Sequence, residues 1–148
     1  MDKINLYTQC VQKLQEQIND IKDAILKVQE SIEGEQGSTA GNKFETARAM
    51  GQGELDRLNG QLFKLNLEMN ILQQIDAVKP CKSAQLGAII NTEKKSIYLC
   101  VGLGKFELNK AIIYAISIQS PLGQAVIGKG VGDEIILGET VEKILSIH

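Results

Sequence analysis

Residues 4–32 read INLYTQCVQKLQEQINDIKDAILKVQESI, and their spacing decides the first half of the fold. Ile4, Tyr7, Val11, Leu14, Ile18, Ile21, Ile25, Val28 and Ile32 recur at alternating steps of three and four. That is the 3.5-residue period with which two helices wind together along one narrow apolar seam. The other positions are mostly Gln, Lys, Asp and Glu, a solvated outer face, and no proline or glycine interrupts the run. At 1.5 Å of rise per residue such a helix reaches about 43 Å.

The pattern stops at Glu33-Gly34-Glu35-Gln36-Gly37-Ser38-Thr39-Ala40-Gly41, which has three glycines and no long apolar residue, and reads as a loop. A second seam follows through Leu55, Leu58, Leu62, Leu65, Met69 and Leu72, extended backwards through Phe44 and Ala47. Gly51, Gly53 and Gly60 lie inside it. Each weakens a helix by about 1 kcal/mol relative to alanine, unless it permits a close approach to the partner helix. Neither helix hides its stripe alone. Two seams of similar length joined by a short glycine-rich break predict an antiparallel coiled-coil hairpin over residues 1–76, its tip at about 33–45. One arm of an oligomeric coiled coil is the alternative. A hairpin satisfies both seams within one chain, so a monomer is expected.

Ala77-Val78-Lys79-Pro80-Cys81-Lys82-Ser83 reads as a linker, because Pro80 cannot continue a helix and disfavours helical geometry at Lys79. The period then changes. Leu86 to Ile90, Ser96 to Val101 and Ala111 to Ile118 read as strands, the first two joined by a polar turn. Ser120 to Gly128 reads as one short helix, with serine as N-cap, proline at the first helical position and glycine at the exit. Residues 129–133 form a tight turn, and Glu134 to Leu137 and Val141 to Ile147 are closing strands. The predicted class is α+β, with a small β-sheet domain and one short helix over residues 84–148.

Composition narrows the function. The chain has 148 residues, 43% of them hydrophobic, and a formal net charge of -2. Residues 1–76 carry 8 basic and 12 acidic side chains, net -4, and residues 77–148 carry 8 and 6, net +2. A clamp on nucleic-acid phosphates needs a clear cationic surplus, so a protein partner is the better expectation. The only histidine is His148, which leaves no Ser-His-Asp or Cys-His arrangement and no histidine metal site. Cys10, Cys81 and Cys100 have no C-x-x-C spacing and read as reduced thiols without a special role. No apolar run is long enough to cross a membrane, and the start lacks a signal-peptide pattern, so a cytoplasmic location is expected. Gly102-Leu103-Gly104-Lys105 lacks the Gly-Lys-Ser/Thr ending of a phosphate loop and reads as a turn between strands.

One segment carries a family resemblance. Ile116-Ser117-Ile118-Gln119-Ser120-Pro121-Leu122-Gly123-Gln124-Ala125-Val126-Ile127-Gly128-Lys129-Gly130-Val131-Gly132-Asp133-Glu134 resembles the C-terminal domain of the Gre family of bacterial transcript-cleavage factors. That family places a Ser-Pro dipeptide, a small helix, then Gly-Lys and Gly-Asp in this order. The order of domains also resembles the family's, although over the first half the likeness is one of architecture.

The resemblance implies an FKBP-like C-terminal domain that docks on RNA polymerase, here through Ser120, Pro121 and Leu122, and a coiled coil that enters the polymerase's secondary channel. It implies that acidic residues at the tip help hold a second magnesium ion in the polymerase active centre. The polymerase then cleaves its own backtracked RNA by two-metal phosphodiester hydrolysis. Contact with RNA and DNA is indirect, and the factor has no cofactor or stably bound metal of its own.

The family's tip carries an aspartate and a glutamate three residues apart. The matching pair here is Asn42 and Glu45, and the asparagine is uncharged. Another alignment puts Ser38 and Gly41 at the acidic positions and leaves no carboxylate there. Glu33 and Glu35 are the nearby carboxylates that could substitute, or they only solvate a loop. Two versions therefore stand, a factor that stimulates cleavage and one that binds the channel without cleaving. The FKBP-like fold also raises a prolyl isomerase or chaperone, for which Tyr98, Phe106 and Tyr114 are a sparse aromatic supply. A plain coiled-coil scaffold is a third possibility. None of these readings makes the chain an enzyme acting alone.

Overall fold

The computed structural model describes residues 2–35 and 41–148; the side chains at 35 and 41–44 lie outside the described residues. The class is α+β. Two long helices, α1 (Lys3–Glu35) and α2 (Gly41–Gln73), precede the strands β1 (Ile89–Thr92), β2 (Ser96–Cys100), β3 (Gly104–Leu108), β4 (Ala111–Ser117), β5 (Glu134–Leu137) and β6 (Thr140–Ile147). A short helix, α3 (Pro121–Val126), lies between β4 and β5. The chain forms two compact units, one of residues 14–69 and one of residues 1–13 with 70–148.

In the helical unit, Leu14, Ile18, Leu55, Leu58 and Met69 are buried, all at seam positions. Leucines at this spacing pack as knobs between the residues of the facing helix. The three glycines of α2 differ in what surrounds them. A Cβ on Gly51 would stand 2.7 Å from Cγ1 of Ile32, so this glycine lets α1 come close. A Cβ on Gly53 or Gly60 would meet nothing within 4 Å. Those two only weaken the helix.

In the other unit the buried stripe of α1 changes phase. Leu6 and Cys10 are fully buried, while Ile4 is 54% exposed and Tyr7 and Val11 are half-buried. The seam expected to begin at Ile4 therefore begins further along. The reason is the surface that the first turns cover: here α1 meets the sheet as well as α2. The Cys10 thiol neighbours the Cys100 thiol of β2, which itself donates to the Val101 carbonyl at 3.4 Å. Lys13 Nζ donates to the Leu103 carbonyl at 2.5 Å and stands 5.0 Å from the centre of the Phe106 ring. The Tyr7 hydroxyl donates to the Leu72 carbonyl at 3.0 Å, tying α1 to the last turn of α2. Beyond α2, Asp76 closes a turn by accepting from the Val78 amide at 3.1 Å, and Cys81 and Ala84 are buried.

The sheet runs β3-β4-β2-β1-β6-β5, antiparallel except for the parallel β2–β4 pair. One face of β1 and β2 carries Ile90, Ile97 and Leu99, which pack with Val126 of α3 and with Ile135 and Ile144. The opposite face carries Ile89, Tyr98 and Cys100, also fully buried. Strands covered on both sides read as continuous apolar runs, as LGAII and SIYLCV do. On the Tyr98 face, Ser96 Oγ donates to Asn91 Oδ1 at 2.6 Å and Asn91 Nδ2 donates to Ser146 Oγ at 2.9 Å, a polar rung across β2, β1 and β6. Glu142 of β6 is buried with its carboxylate 3.1 Å from Lys95 Nζ and accepting from Thr92 Oγ1 at 3.1 Å. A buried carboxylate persists only with partners of this kind.

Strand β3 corrects the sequence reading. Gly104 and Lys105 open a strand rather than complete a turn, and Phe106 and Leu108 alternate inward against exposed Lys105 and Glu107. Asn109 and Lys110, at φ 51° and 68°, then make the two-residue connection to β4. Two successive positive φ values mark the type I′ geometry whose twist matches that of the strands.

The glycine contrast gives a direct test. Gly60→Ala is expected to raise the unfolding free energy by about 1 kcal/mol, while Gly51→Ala forfeits that gain because Ile32 must move. Urea midpoints of the two variants should rank Gly60→Ala above wild type and Gly51→Ala below Gly60→Ala.

Candidate functional site

The Ser120 corner is built from three constraints. Ser120 takes extended backbone angles, and its Oγ accepts from the Gly123 amide at 3.0 Å, capping α3. The same hydroxyl donates to the Ser117 carbonyl at 2.6 Å, so one side chain closes both the end of β4 and the start of α3. Pro121 occupies the first helical position, where its missing amide hydrogen costs nothing. Gly123 is dictated by space: a Cβ there would lie 2.2 Å from the Ser117 carbonyl oxygen and 2.9 Å from the Ile118 backbone. No side chain fits so close to backbone atoms.

The corner presents some of these residues and hides others. Pro121 and Gln124 are exposed, and Gln124 Nε2 donates to the Ile118 carbonyl at 2.6 Å. Leu122 is half-buried and packs on the core that Val126, Ile135 and Ile144 share. Further along, Asp133 Oδ2 accepts from the Gly130 amide at 2.7 Å, and Gly130 bridges to Ser83. The Gly-Lys and Gly-Asp pairs quoted above thus frame a turn held by its own aspartate.

The helical unit holds the carboxylate candidates. Glu33, near the end of α1, and Glu45, near the start of α2, are exposed. Asn42 and Glu45 stand one helical turn apart on α2, but the side chains of Asn42 and Glu35 lie outside the described residues, as does the alternative position Ser38. Among the described residues no group of three His, Cys, Asp or Glu side chains could hold a metal ion. An open groove of about 440 Å³ lies between α1 and α2, lined by Lys27, Val28, Ile32, Met50, Gly51 and Glu54. Gly51 in the second seam was its one sequence signal.

The aromatic residues of the sheet do not form a peptide-binding pocket. Tyr98 is fully buried, and Phe106 lies 8% exposed beneath Lys13. Burial pushes the Tyr98 phenol up, and its hydroxyl has no hydrogen-bond partner among the described residues. The contact with Cys10 and burial push the Cys100 thiol up as well, so Cys100 lacks the thiolate character a nucleophile needs. Tyr114 alone of the three is partly open, at 39%.

No family model and no curated protein matches the chain. Among solved structures, one described as "Structure of the transcription factor Gfh1" aligns with 93% of this chain and 92% of that chain. Its sequence identity is 16% and the TM-score is 0.35. A likeness at this level carries no argument for function. Among the described residues no helix is long and apolar enough to cross a membrane.

The cap and the glycine should separate by magnitude. Ser120→Ala is expected to cost about 1 kcal/mol, the usual value of a lost N-cap. Gly123→Ala should cost about 3 kcal/mol or more, because the obstructing atoms are backbone. Denaturant unfolding of both variants measures the difference.

Proposed function

We propose that this chain is a cytoplasmic RNA polymerase-binding factor of Gre type, with an antiparallel helical hairpin as its probe and an FKBP-like sheet domain as its dock. The observation that carries the reading is the Ser120-to-Glu134 segment: the residues that resemble the family are those that a capped corner with no room for a Cβ at Gly123 requires. Two long helices before a sheet domain agree with the family's order. The net charge of -4 on residues 1–76 fits a probe that meets protein walls better than one that grips phosphates.

The exposed carboxylates Glu33 and Glu45 are the groups through which such a probe could act. Magnesium prefers carboxylate oxygens and keeps several waters, so a partner's ion could accept one or two of them as additional ligands. This chain's part is to offer oxygen atoms and orient water, and the ion itself belongs to the polymerase. The chain is not an enzyme alone. Asn42, neutral where the family has aspartate, favours a second version in which the factor occupies the channel and regulates elongation without strong stimulation of cleavage. A prolyl isomerase is disfavoured by the burial of Tyr98 and Phe106.

Leu122 supports the core, so the docking test belongs on exposed neighbours. Purified core polymerase should retain the wild-type chain, and Pro121→Ala with Gln124→Ala should reduce retention about tenfold. No retention of the folded wild type removes the reading, and undiminished retention of the double variant removes the corner as the dock. On stalled elongation complexes, Asn42→Asp should stimulate RNA cleavage above wild type; equal activity would detach position 42 from the chemistry.

A further inference from the structure

The sheet face that α1 helps to cover does not end where the helix coverage ends. Strand β5 closes the sheet order, and at this end Ile136, Val141 and Leu145 are 62%, 47% and 56% exposed. Ile136 stands directly opposite Val141, and Glu134 directly opposite Lys143. All four project to the face opposite Ile135 and Glu142, which are buried. Leu145 is the extra residue where β6 shifts register against β1, between the pairs Asn91–Ser146 and Thr92–Ile144. Ile136 and Val141 form an exposed apolar pair bordered by Glu134 and Lys143, and Leu145 lies beyond Lys143 on the same strand; exposed apolar side chains grouped with charge in this way mark an interaction surface rather than scattered surface leucines. The other sheet edge differs: β3 exposes Lys105 and Glu107, charges that discourage association.

The arrangement of the charges selects the occupant. Glu134 and Lys143 make no ion pair with each other, although they face across the strands. A two-fold axis parallel to β5 and β6, midway between them and in front of this face, exchanges the two strands in projection. Glu134 then lies over the copy's Lys143, Lys143 over the copy's Glu134, and Ile136 over the copy's Val141. A patch that is complementary to itself under rotation is what an isologous contact requires. We propose that the β5–β6 face binds a second copy of this chain, through reciprocal Ile136–Val141 contacts and two reciprocal Glu134–Lys143 pairs. The helical seams are satisfied within one chain, and this contact is independent of them and of any polymerase.

A patch of this size predicts weak, concentration-dependent association, with dimer forming between about 1 µM and about 1 mM. Sedimentation equilibrium of the full chain over that range should show the mass rising toward twice the chain mass. Ile136→Asp should weaken dimerisation at least about tenfold. The charge variants make the test specific. Glu134→Lys alone brings like charges together twice, as does Lys143→Glu alone, so each variant should remain monomeric. Mixed in equal amounts they should form a heterodimer, because each contact then pairs unlike charges. Circular dichroism confirms that each variant is folded. A wild-type chain that stays monomeric across the whole range overturns the proposal. So does a dimer unaffected by Ile136→Asp, or a mixture of the two charge variants that fails to associate.

Discussion

The sheet could not keep a buried tyrosine and a buried thiol on its second face without a cover, and the first turns of α1 supply part of it. Leu6 and Cys10 are fully buried there, as are Ile89, Tyr98 and Cys100. Burying a leucine contributes about 2 kcal/mol, and the contact also removes the second face of β1 and β2 from water. Polar ties fix the position: Lys13 to the Leu103 carbonyl, Tyr7 to the Leu72 carbonyl, and Lys3 Nζ to the Lys79 carbonyl at 2.9 Å. α1 is one continuous helix from Lys3 to Glu35, so the element that covers the sheet is also one half of the helical pair. Its early turns serve the sheet and its later turns serve the seam.

That double duty explains what the sequence disclosed and what it concealed. From Leu14 onward the heptad predicts the buried positions, and in α2 Leu55, Leu58, Met69 and Leu72 are buried as the spacing requires. Before Leu14 the same periodicity points to Ile4, yet Leu6 and Cys10 carry the burial. A period reports one partner helix, whereas a helix that meets a sheet has a wider contact stripe. Strand β3 was hidden for a different reason. Gly102 and Gly104 look like turn residues, and Asn109-Lys110 is a weaker hairpin signal than Asn-Gly. The alternation of Lys105, Phe106, Glu107 and Leu108 was the available clue.

The candidate site was legible in part. Ser120, Pro121 and the exit glycine announced a capped helix, and α3 forms there. The constraint on Gly123 was not legible, since only three-dimensional proximity brings the Ser117 carbonyl to it. Leu122 illustrates the limit of motif reading: a residue inside the motif can be held by the core, leaving exposure to its neighbours Pro121 and Gln124.

The phase change along α1 is the claim on which the covered sheet rests, and a pair of alanine substitutions measures it. Unfolding of Leu6→Ala and Ile4→Ala in urea compares a buried leucine with an exposed isoleucine. The expected result is a loss of about 2–5 kcal/mol for Leu6→Ala and about 0.5 kcal/mol or less for Ile4→Ala. A larger loss at Ile4 than at Leu6 would contradict the account, because it would return the seam to the phase of the heptad and leave the Tyr98 face without its cover.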